Sequence, residues 1–185
     1  MKHLFMITAA CTVLCSAVSA QPAKTETRDG MRHVIVRDDT ELNADGLLMQ
    51  GRANELGLFI WSLPSEDPTF DPASRPGQVS DCEGHHPDYR PAHSYSLRDD
   101  QRIRKMGVGK AFLYDFAAYR NALAAGDCTC GTLRADWDTA VSQFTEITVG
   151  IERVSRFTAM PTYLHTLIQN DYERMCDVTM TLDLE

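Results

Sequence analysis

The chain has no G-x-S-x-G nucleophile elbow, no G-x-x-x-x-G-K-[ST] phosphate loop, no C-x-x-C and no C-x-x-C-H. These absences argue against serine hydrolases of the nucleophile-elbow type, P-loop nucleotide enzymes, thioredoxin-type exchange and covalent haem. The run GVGKAF at 107–112 echoes a phosphate loop only in composition. Past residue 20, no apolar run approaches the ~20 residues a membrane helix needs. Positive charge is also scarce: 18 Lys and Arg face 26 Asp and Glu, for a formal net charge of −8. That balance repels nucleic acid and anionic lipid at long range, so neither is an expected partner. Aromatic residues make up 8% of the chain. Most of them, including Phe112, Phe116, Tyr119, Trp137, Phe144 and Tyr163, recur at helical spacing, which is the pattern of a packed core rather than a ligand box.

The first twenty residues, MKHLFMITAACTVLCSAVSA, carry Lys2 at the start, an apolar stretch from Leu4 to about Val18, and small residues ahead of Gln21. This is the pattern of a secretory signal cleaved after Ala20, and it implies a periplasmic or extracellular protein. The expected organisation is a signal at 1–20 followed by one exported domain at 21–185. Within that domain we expect an N-terminal segment at 21–63, a proline-rich loop at 64–96 and a helical region at 97–185.

Two of the six cysteines, Cys11 and Cys15, fall within the signal; Cys82, Cys128, Cys130 and Cys176 remain. An even number in an oxidising compartment reads as two disulfides. Four cysteines allow three connectivities. The reading favoured here joins Cys176 to Cys128 or Cys130 and gives Cys82 the other member of the C-x-C pair. A zinc site and a redox-active Cys128–Cys130 bridge are the weaker alternatives, because zinc sites use paired ligand sets and a bridge across one residue is strained.

Val34, Ile35 and Val36 form a short β-prone run, and 40–64 is an apolar stretch interrupted by Gly46, Gly51 and Gly57 that fits a strand or a broken helix. Prolines at 64, 68, 72, 76, 87 and 91 then exclude a regular helix. In the C-terminal half, apolar residues at spacings of three and four predict a helix that starts regularly at about Lys110 and stops at Gly126. A second helix is expected over about 134–160, and a third from Pro161 through Cys176. The expected fold is mainly α: an antiparallel three-helix bundle core, an irregular and short-stranded N-terminal region, and a proline-rich loop pinned by a disulfide.

The stretch CEGHHPDYRPAH places His85, His86, Asp88 and His93 close together in the loop. Imidazole with a carboxylate suits zinc or copper, so a metal-binding loop is the alternative function. No helical i, i+4 pair of histidines sets a geometry, and incidental surface histidines explain the same residues. Asp38 with Asp39, Asp99 with Asp100, and Asp136 with Asp138 are paired carboxylates at turn or helix-start positions. No set of residues supplies a nucleophile, a base and an oxyanion site together, so no catalytic residue is assigned. The sequence therefore reads as a non-enzymatic exported interaction or accessory protein with a protein partner and no required cofactor.

Overall fold

A computed structural model describes residues 24–28, 31–35, 44–64, 76–96 and 100–182. Residues 1–20, where a signal is expected, and Val36, Asp38, Asp39, Pro68, Pro72 and Asp99 lie outside the described residues.

The chain is mainly helical. It begins with strands β1 (Lys24–Arg28) and β2 (Met31–Ile35), continues through helix α1 (Ala44–Glu55) and strand β3 (Ile60–Ser62), and ends in helices α2 (Gln101–Ala125), α3 (Trp137–Thr148) and α4 (Ala159–Leu182). The strands form one antiparallel sheet in the order β1-β2-β3, with Arg28 opposite Met31 and Arg32 opposite Trp61. Alternation along β3 buries Trp61 and turns Ile60 and Ser62 outward. The Trp61 indole meets the Phe116 ring of α2 edge-on at 6.1 Å, which fastens the sheet to the helix.

Before β3, α1 ends because Gly57 adopts φ 65° and Leu58 N–H reaches back to the Ala53 carbonyl at 2.9 Å. That six-to-one closure is the glycine stop of a Schellman turn, and it delivers Leu58 and Phe59 into the core.

Helix α2 starts earlier than periodicity suggests. Asp100 caps it by accepting hydrogen bonds from the backbone N–H groups of Arg102 and Ile103 at 2.9 and 3.2 Å, and Gly126 closes it in the left-handed conformation. Gly107 and Gly109, read from sequence as delaying the helix, lie inside it and act as points of close approach. A Cβ on Gly109 would stand 2.4 Å from Phe144 Cε2 and 2.7 Å from the Phe157 carbonyl oxygen. Gly109→Ala is therefore expected to destabilise the fold by about 1–3 kcal/mol despite alanine's better helix propensity. Gly51→Ala on α1, where nothing lies within 4 Å, should instead stabilise by roughly 0.5–1 kcal/mol. Denaturant midpoints of the two variants test the pair; a stabilised Gly109→Ala would mean that the Phe144–Phe157 contact is soft.

The second predicted helix, 134–160, is corrected. Helix α3 occupies only Trp137–Thr148, Gly150 turns the chain at φ 74°, and a short 3-10 turn follows at Val154–Arg156. Thr145 and Thr148 donate their hydroxyls back to the Val141 and Phe144 carbonyls, an alternative partner offered to the helix just where it stops. Apolar spacing continued past the end because Ile151 and Phe157 are buried from a turn rather than from a helix. Helix α4 then takes Pro161 into its first turn and buries Leu164, Ile168, Tyr172 and Cys176, one residue per turn, along one stripe.

Helix α2 is central: α4 packs along it most extensively, α3 packs on it next, and the other helical neighbour of α3 is α1. The anticipated three-helix bundle thus gives way to an arrangement in which the N-terminal helix and sheet share the core. Short α3 also removes a geometric objection to the cysteine pairing. A 27-residue helix would have spanned about 40 Å and left Cys176 far from the C-x-C turn, whereas 12 residues span about 18 Å. Cys128 pairs with Cys176 and Cys82 with Cys130, with Cα separations of 6.0 and 5.4 Å.

Candidate functional site

Three elements converge on one face of α2. The loop after Cys82 lies across the helix, α3 begins with Trp137, and α4 brings His165 from the other flank. At the centre is Asp115, a carboxyl only 8% exposed. Tyr89 of the loop donates its hydroxyl to Asp115 Oδ1 at 2.6 Å, and His165 Nε2 lies 3.8 Å from Oδ2. Aromatic rings enclose the group: Tyr89 and Tyr114 are 4.4 Å apart, Trp137 lies 5.9 Å from Tyr114, and His165 is flanked by Phe112 at 4.8 Å and Tyr119 at 5.7 Å.

Removal from water disfavours the charged form of every group here. Burial pushes the Asp115 carboxyl up to about 7, partly offset by the Tyr89 hydrogen bond. Burial likewise lowers His165 to about 4, so the imidazole is neutral at physiological pH. The Tyr89 and Tyr119 hydroxyls are raised well above the ordinary phenol value by burial first and the Asp115 charge second. Chemically this is a carboxyl poised near neutrality, locked under a tyrosine from the loop. Its immediate effect is to tie the proline-rich segment to α2 by an interaction whose strength depends on protonation.

The histidine loop is not gathered into one site. His85 turns inward, with Nδ1 3.3 Å from the Tyr114 hydroxyl, and its Nε2 is buried without a hydrogen-bond partner among the described residues. His86 stacks on Trp137 at 6.1 Å and accepts the Asp88 backbone N–H on its Nδ1. His93 faces a separate surface cavity of about 460 Å³, shared with Gln78, Asp81, Gln169 and Glu173. His85, His86, His93 and Asp88 are thus divided among three environments. Among the described residues no group of three or more His, Cys, Asp or Glu side chains is disposed to hold a metal ion. Cys128 and Cys130 take different partners, so neither the C-x-C redox bridge nor a thiolate zinc site forms. Asp100 and Asp136, from the paired carboxylates, are helix caps.

Asp115 and His165 escaped sequence reasoning. A signal was present: Asp115 sits within FLYDFAAY, one turn from Ala111 and Tyr119 on the stripe that periodicity assigns to the core. Asp171 repeats the pattern on α4, next to the buried Tyr172. Its Oδ2 accepts the Trp61 indole N–H at 3.0 Å, and its Oδ1 pairs with Arg32 of β2. An acid on an apolar stripe is the sign of a buried polar contact, and its partner can only be named once the chain has folded.

No protein-family model matches the chain, and neither curated proteins nor solved structures show a detectable match to it.

Proposed function

We propose that the chain is an exported, non-enzymatic interaction or accessory protein of a cell envelope, and that the loop at 76–96 is the surface it offers to a protein partner. The observation that carries this reading is the pairing of all four cysteines beyond Ala20 into two bridges, which suits an oxidising compartment. The loop has the qualities of a presented epitope. Cys82–Cys130 and the Tyr89–Asp115 hydrogen bond hold it from beneath, while Glu83, His86, Pro87, Asp88 and Arg90 stand exposed. A segment held in one shape loses less conformational freedom on binding than a mobile one, so its contacts convert more fully to affinity.

Alkylation of intact cells before fractionation tests the compartment. The expected result is a protein in the extracytoplasmic fraction with no modifiable thiol; a reduced protein in the cytoplasm overturns the reading. A photoreactive residue at Arg90 should then capture one discrete protein, with capture lost when Asp88 and His86 are changed to Ala. An equally strong adduct from a photoreactive residue at Ile103, exposed on α2, would remove the loop's claim.

A further inference from the structure

A second cavity, of about 320 Å³, opens where β2, the end of β3, α2 and α4 meet. Its apolar walls include Leu63, Leu123 and Met175; its polar groups are Arg32, Asp171 and Arg174. Two guanidinium groups and one carboxylate leave the cavity with excess positive charge, on a chain whose net charge is −8. The carboxylate is already engaged: Asp171 Oδ1 pairs with Arg32, and Oδ2 accepts the Trp61 indole N–H at 3.0 Å. Arg174 approaches Asp171 only to 3.8 Å, beyond hydrogen-bond distance, and its side chain is 65% exposed.

The cavity therefore has donors in excess of acceptors beside a wall of aliphatic side chains. We propose that it binds a small amphipathic carboxylate, a free fatty acid of medium chain length, with its headgroup on Arg32 and Arg174 and its alkyl chain against Leu63, Leu123 and Met175. Guanidinium groups suit carboxylates because their planar donor forks match the two oxygens. The apolar wall selects for a tail that a free inorganic anion lacks, and an alkylammonium would place its cation against two arginines. A volume near 320 Å³ lies at the lower end of the range for ligand pockets, which selects a short tail over a long one.

Calorimetric titration of the oxidised full chain with octanoate below its micellar concentration tests the assignment, with octanol, octylamine and a short peptide ending in a free-carboxyl leucine as comparators. The expected result is saturable octanoate binding, at least tenfold weaker for octanol and absent for octylamine. Arg174→Gln, at an exposed side chain the fold does not require, should weaken octanoate about tenfold, and Arg174→Lys should restore part of the loss. Absence of saturable octanoate binding overturns the proposal. So does equal binding of octanol, or an affinity unchanged in Arg174→Gln. Tighter binding of the peptide than of octanoate would also overturn it, assigning the site to a partner's C-terminus.

Discussion

Removing the Cys128–Cys176 bridge by the double substitution Cys128→Ala and Cys176→Ala should lower folding stability by about 4 kcal/mol, which chain entropy assigns to the loop closed by a sequence separation of 48 residues. Alanine is the right replacement because both cysteines are essentially inaccessible, and a serine would add the cost of a buried hydroxyl to that of the lost bridge. The bridge ties the turn after α2 to the last described helix, at a point where the Tyr172 hydroxyl also donates to the Cys128 carbonyl at 3.3 Å. A typical domain has only about 5–15 kcal/mol in total, so the loss is a large fraction of the whole. Removing Cys82–Cys130 as well should cost close to a second increment of the same size, since each bridge closes a loop with a sequence separation of 48 and the two loops share only residues 128–130. Urea unfolding of the oxidised chain, the single-bridge variant and the bridge-free variant gives both quantities. A loss below about 1 kcal/mol for the first variant would show that the core holds the α2–α4 contact without the bridge, contrary to the chain-entropy account.

The second large effect is the change that Asp115→Asn should make in how stability varies with pH. Asp115 ionises at about 7 when folded and near 3.8 when unfolded. Between these values the folded chain holds a proton that the unfolded chain has released, so this group makes stability fall as pH rises, by about 1.4 kcal/mol per unit. His165 acts in the opposite sense: it protonates at about 4 when folded and near 6.5 when unfolded, so its contribution falls as pH drops from 6.5 to 4. The two slopes cancel over their common range, and the wild type should show little net change from this pair between pH 4 and 6.5. Asparagine keeps an oxygen for the Tyr89 hydroxyl but cannot ionise. The stability of Asp115→Asn should therefore rise relative to wild type by roughly 2 kcal/mol between pH 5 and 7, the buried carboxylate being the group removed. Denaturation at several pH values measures the difference directly. Parallel curves would show that Asp115 ionises freely in the fold, and divergence in the opposite sense would show that its charged form is the stabilised one.

This titration bears on the loop as well. Above neutrality the Tyr89 hydroxyl faces a carboxylate in a closed aromatic setting, where a charge-assisted hydrogen bond is stronger but the buried charge itself is costly. The loop proposed to meet a partner therefore sits over a buried carboxyl whose charge changes near neutrality.

How far the chain could be read in advance varied with the range of the interactions involved. Helix α2 was legible because its stop is local: Gly126 supplies the left-handed residue, and spacings of three and four mark the buried face. Its start was misplaced for a reason no local rule contains. Gly107 and Gly109 resemble helix breakers in sequence, and only the positions of Tyr95, Phe144 and Phe157 show them to be clearances. Apolar spacing from 134 to 160 fitted a single long helix, since periodicity does not distinguish burial from a helix from burial from a turn. The histidines at 85, 86 and 93 lie within nine residues of sequence and are distributed by the path of the loop.

By itself, the sequence determined the mainly helical character, the even set of four cysteines beyond Ala20 and the acidic charge balance, because each follows from composition, from residue counts or from spacing within a few turns. Tertiary structure alone decided which cysteines pair, and it did so by shortening α3 so that α4 reaches the turn after α2. It also decided that Asp115 is buried beneath Tyr89 and that Arg32, 139 residues before Asp171, meets it beside an apolar cavity. The physical reason is common to all three: burial and pairing depend on groups far apart in the chain, and their energies exist only once folding has brought those groups together and excluded water.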